Sequence, residues 1–72
     1  MTHPTYTQPH YLMPFFGYDR LPEELANVSK PFGELASFID TELSHENKCK
    51  EIALQKLLEA KDAAIRAALF DL

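Results

Sequence analysis

The chain has 72 residues, a net charge of −4 and a single cysteine, which confines it to one domain. A domain this short hides too little of its surface to be stable unless its helices pack unusually well or copies of it associate. Cys49 has no partner for an internal disulfide, no Cys/His spacing suits zinc, and the acidic balance argues against a DNA-binding protein. No apolar run reaches the ~20 residues of a membrane span. The first residues lack the basic-then-apolar pattern of a secretion signal. An intracellular, reducing location without membrane attachment is the expectation.

Residues 1–15 carry Pro4, Pro9 and Pro14 among Thr, His and Tyr. Proline fixes φ and biases the residue before it towards extended backbone, so an extended or partly disordered arm is expected here. Its aromatics Tyr6, Tyr11 and Phe15, with Phe16 and Tyr18 just beyond it, are unusual for a solvated tail, which predicts that its last third orders against something. Residues 16–72 form the expected domain. Asp19 followed by Pro22, Glu23 and Glu24 reads as a helix start, with early proline and carboxylates that suit the helix dipole. That short helix is expected to reach about Ser29 and to break or kink at Pro31, which removes a backbone donor.

Beyond it Phe32, Leu35, Ala36, Ile39 and Leu43 recur at helical spacing and mark one apolar stripe. "SHEN" at 44–47 reads as a turn in which Ser44 or Asn47 can cap the next helix. From Lys48 to about Phe70 the chain is rich in Ala, Leu, Glu and Lys, with no Gly or Pro, and predicts a long helix. Its apolar arc covers more than half the circumference. Leu54, Leu57, Leu58, Ile65 and Leu69 form a bulky side; Ala53, Ala60, Ala63, Ala64 and Ala67 form a small one. Gln55, Glu59, Asp62 and Arg66 are left as a polar strip. One preceding stripe covers only one of the two sides. Either copies associate through the other, or the N-terminal arm folds back over it. The expected architecture is all-α: extended arm, short kinked helix and antiparallel two-helix hairpin, oligomerising.

"F-x-Y" at Phe16 to Tyr18, "ELASFID" at Glu34 to Asp40 and "ALQKLLEAKDAAIRAAL" at Ala53 to Leu69, taken in order, resemble the phage anti-CBASS cyclic-oligonucleotide sponges. Their hairpin domain is shared with sponges against the Thoeris defence system. The resemblance spans about residues 16–70. It implies a homo-oligomer, hexameric in the best-known members, that acts in the cytoplasm of the infected bacterial host. Such a protein holds cyclic dinucleotides such as 3′,3′-cyclic GMP–AMP between protomers without cleaving them and without a cofactor. Tyr18 would stack on a base and Lys30 would pair with a phosphate. Where some members carry an arginine for cyclic trinucleotides this chain has Phe70, with Arg66 a turn earlier. The family's tryptophan in the last helix is Ala63 here.

The chemistry suits those residue types. A base presents a π-face that an aromatic ring can support for ~1–3 kcal/mol, and a phosphate takes charge-assisted hydrogen bonds from lysine or arginine. An isologous interface presents each group twice to a ligand that is nearly two-fold. Candidate ligand-binding residues are therefore Tyr18, Lys30, Arg20 and Phe16. Each also has a structural explanation. Tyr18 can be a staple at the helix entry, Lys30 a solvated cation near a helix end, Arg20 neutral against Asp19, and Phe15 and Phe16 core. His3, His10 and His45 are too dispersed to ligate a metal and are expected to be exposed. Glu23–Glu24 and Glu59 with Asp62 read as solvated acids. Cys49 lacks a positioned base, and Gly17 and Gly33 make no phosphate loop. No catalytic residue is expected. The rival function is a helical protein–protein interaction or structural oligomerisation module with no nucleotide ligand.

Overall fold

The computed structural model describes residues 10–71. Those residues are all helical or turn, with no strand among them. A 3₁₀ turn, Met13–Phe16, is followed by two long helices, α1 (Glu23–Glu42) and α2 (Lys48–Asp71).

The 3₁₀ turn carries Pro at one of its first two positions, where a missing N–H costs nothing, and closes with the Gly17 N–H on the Pro14 carbonyl at 3.3 Å. This part of the chain is therefore turned, where the proline pattern suggests extended backbone. Residues 1–9, and with them His3 and Tyr6, lie outside the described residues. Helix α1 starts as expected, with Pro22 at its cap position, Glu23 and Glu24 in the first turn, and the Ala26 N–H on the Pro22 carbonyl at 2.8 Å. It does not stop at Ser29. Pro31 lies inside one continuous helix of 20 residues, so the short kinked helix and the first hairpin helix are a single element. The reason is that the lost donor faces water. Pro31 and Asn27, whose carbonyl forgoes its partner, are both exposed, and solvent satisfies what the helix cannot. The buried face, Ser29, Gly33 and Ala36, runs past the proline without interruption.

Leu43 ends α1 through its N–H on the Ile39 carbonyl at 2.9 Å. After the turn, Asn47 is the cap of α2: its Oδ1 accepts the Lys50 N–H at 2.9 Å and its carbonyl accepts the Glu51 N–H at 3.1 Å. Helix α2 runs 24 residues back along α1. The core is small: Leu12, Phe16, Ala36 and Leu54 are buried, with Met13, Phe32, Ile39, Leu57 and Leu58 packed around them. Two of the four buried members come from the segment ahead of α1. That segment does fold back and cover part of the bulky side of α2. Ala60, Ala63 and Ala67 stay exposed, Leu69 is half-exposed, and Phe70 is 89 % exposed.

Candidate functional site

The segment from His10 to Leu21 is fastened to the hairpin by polar anchors as well as by Leu12 and Phe16. His10 is buried, contrary to the exposure expected of it. Its N–H donates to the Asp40 carboxylate at 3.3 Å, its Nδ1 accepts the Leu12 N–H at 3.1 Å, and its Nε2 lies 3.7 Å from Glu46. The Tyr11 hydroxyl donates to Glu51 at 2.6 Å. That hydrogen bond, which the neutral phenol makes, holds the Tyr11 pKa above its ordinary value.

Two lysines of α2 sit inside the fold. Lys50, 2 % exposed, places its ammonium 2.9 Å from Asp40 Oδ1 and 3.0 Å from Glu46 Oε2, and donates to the Asp40 carbonyl at 3.2 Å. Burial on its own would lower its pKa, but the hydrogen bonds to Asp40 and Glu46 outweigh that and hold it raised. Lys61, 8 % exposed, donates to the Phe15 carbonyl at 2.7 Å and lies 3.3 Å from Asp62. The sequence reading placed neither lysine in the core. The available signal was their register: Lys50, Leu54, Leu57 and Lys61 follow one another at three- and four-residue steps on a single face.

Gly33 lets the segment reach α1. A Cβ there would lie 3.0 Å from the Phe16 carbonyl oxygen and 3.2 Å from the Tyr18 ring. The Tyr18 ring thus lies directly on the α1 backbone. Beside it opens a groove of about 390 Å³ lined by Met13, Phe16, Tyr18, Gly33, Glu34 and Ser37, within the size range of small-molecule sites. Tyr18 is half-buried, with part of its ring facing the groove. Phe16 is only 2 % exposed, so it serves as floor and core and offers a ligand no free face.

Lys30 is exposed and is not among the residues lining the groove. At ~100° per residue it falls within about 40° of both Glu34 and Ser37 on α1, roughly one and two turns away. It therefore projects from the same helix face at the groove's end. Arg20 lies beyond Gly17, along a second hollow of about 260 Å³ lined also by Pro14, Asp19 and Leu21. Among the described residues neither Lys30 nor Arg20 takes part in an ion pair, so both cations are available. Glu34 brings a carboxylate to the groove wall, which opposes an anion except where Lys30 compensates it. The structure thus brings Tyr18 and Phe16 together, sets Lys30 at the edge, and separates Arg20. No group of three or more His, Cys, Asp or Glu among the described residues is placed to hold a metal. No helix among them is long and apolar enough to cross a membrane. Cys49 is a free, exposed thiol.

Compared with family models, with curated proteins and with solved structures, the chain matches none.

Proposed function

We propose that this chain is a phage immune-evasion protein that sequesters cyclic dinucleotide second messengers between protomers of a homo-oligomer, in the cytoplasm of the infected host and without catalysis. The observation that carries the proposal is a partly exposed Tyr18 ring, fixed on Gly33, with Lys30, in no ion pair among the described residues, on the Glu34 and Ser37 side of α1. One half-site supplies a stacking surface and a cation. Among the described residues the open groove has no opposite wall, and a second copy would provide one with the same two groups. The half-exposed Leu35, Leu43 and Leu69 and the more exposed Phe38 and Phe70 supply apolar surface for such association. Sequestration then works by mass action: sites in excess of ligand, occupied well below the signalling concentration.

The test is calorimetric titration with 3′,3′-cyclic GMP–AMP, followed by denaturation and recovery of the nucleotide. Intact ligand is the expected product; linear nucleotide would mean catalysis. Tyr18→Ala removes a stack worth ~1–3 kcal/mol and so weakens binding by roughly 5- to 150-fold. Lys30→Ala removes a charge-assisted contact of similar size. Both variants keep the oligomer mass. Absence of heat with a panel of cyclic dinucleotides would leave the interaction module, which the exposed apolar surface equally suits. In that case Lys30→Ala is silent and a charged substitution on the exposed small side of α2, such as Ala63→Glu, abolishes function.

A further inference from the structure

Tyr18 itself makes no hydrogen bond through its side chain among the described residues. What fixes its ring is the backbone on which it stands. On the α1 side that backbone lies against Gly33, where the Phe16 carbonyl and the Tyr18 ring occupy the space of an absent Cβ. On the α2 side the Lys61 ammonium, on a side chain only 10 % exposed, holds the Phe15 carbonyl at 2.7 Å.

The Phe15 carbonyl belongs to the last turn of the 3₁₀ element, one of the groups that a helix end leaves without an intrahelical partner. A partly buried carbonyl of this kind is stabilised by a donor. A charged donor makes a shorter and stronger bond than a neutral one. Phe15 itself turns its ring outwards and is more than half exposed, so side-chain burial does not hold the backbone at this point. Lys61 does. It stands one turn along α2 from Leu57 and Leu58, which pack on the core, and its head reaches the chain three residues before Tyr18.

We infer that Lys61 is a positioning residue for Tyr18: its buried ammonium pins the Phe15 carbonyl and thereby sets the height and tilt of the tyrosine ring over Gly33. The role of the ring as a ligand stack rests on the function proposed above; the pinning of the segment does not. The half-exposed Asp62 carboxylate lies 3.3 Å from the ammonium.

Lys61→Met keeps the apolar stem and removes the donor. The first readout is amide hydrogen exchange in the full chain. Exchange at Gly17, whose N–H closes the 3₁₀ turn on Pro14, is expected to speed up about tenfold, while the Leu54 amide in α2 is unchanged. Lys61→Arg, which retains a charged donor, is expected to restore most of the Gly17 protection. The second readout is the dissociation rate of 3′,3′-cyclic GMP–AMP, expected to rise about tenfold in Lys61→Met and to recover in Lys61→Arg. Equal acceleration at Gly17 and Leu54 would reduce Lys61 to a general stabiliser and overturn the inference, as would no change at either. Should Lys61→Met not fold, Lys61→Gln takes its place, and failure of both to fold overturns the local role. If Gly17 is loosened as expected but the parent chain holds no cyclic dinucleotide, the pinning stands and the sponge function falls.

Discussion

Gly33 and Lys50 show how much of this molecule depends on single positions. In an exposed helix interior, replacing Gly by Ala stabilises by about 1 kcal/mol. At Gly33 the new methyl would meet a backbone oxygen at 3.0 Å and an aromatic ring at 3.2 Å, and overpacking of this kind costs about 1–3 kcal/mol. Gly33→Ala is therefore expected to lower stability, or at best leave it unchanged, in a urea melt, and to displace Tyr18. A gain of 1 kcal/mol would mean that the segment rests loosely on α1. Lys50→Met strands Asp40, which is largely buried beside it, and is expected to cost about 2–4 kcal/mol, somewhat below or within the range for breaking a buried pair because Glu46 stays half in water. The raised Lys50 pKa fixes the sign of the pH dependence. Its contribution is complete below the unfolded value near 10.5 and is lost as pH climbs through the higher folded value. Alkaline melts of the parent chain should show that loss and those of Lys50→Met should not, with Tyr11→Phe as background to remove the phenol that titrates nearby. The resemblance, with residue types that suit its chemistry, pointed to Tyr18 and Lys30 as candidates. Neither revealed the two interior lysines, because hydropathy scores lysine as surface whatever its register, and only the opposing Asp40, Glu46 and Phe15 carbonyl make burial tolerable.

At the scale of elements, the pattern of the chain specified α2 and its cap almost completely, since Asn47 and an uninterrupted run of helix formers act locally. Asn47→Ala is expected to cost about 1 kcal/mol, read from the chemical denaturation midpoint. The proline in α1 was where local rules failed. Pro31 disfavours helix by ~3 kcal/mol as an isolated propensity, yet α1 keeps one buried face through it, Ser29 before the proline and Gly33 and Ala36 after. Pro31→Ala is accordingly expected to stabilise the chain by about 1–3 kcal/mol with no change in helical content by circular dichroism. A rise in helicity would show that the two halves of α1 are not already continuous. The 3₁₀ turn was hidden for a related reason. Pro14 suits extended backbone as well as the start of a turn; the turn closes locally, with the Phe15 and Gly17 N–H groups on the Leu12 and Pro14 carbonyls, and the distant Lys61 donor then holds it against α2.

For the molecule as a whole, the four buried apolar side chains among the described residues 10–71 make a small core, and much of α2 remains uncovered by those residues even with the segment ahead of α1 folded back. Light scattering at micromolar concentration is expected to give a multiple of the 8.2 kDa chain mass, and Ala63→Glu is expected to return it to a single chain with α2 still helical. A parent mass of 8.2 kDa would remove the second copy from the proposed binding mechanism. The Lys61–Phe15 anchor also bears on how the fold is reached. The α1–α2 hairpin closes through a short turn and so assembles rapidly from contacts near in sequence, whereas this anchor joins groups 46 positions apart. The segment that precedes α1 therefore has this partner only once α2 has been made past its midpoint, so a chain cut short before Lys61 leaves the tyrosine without its anchor.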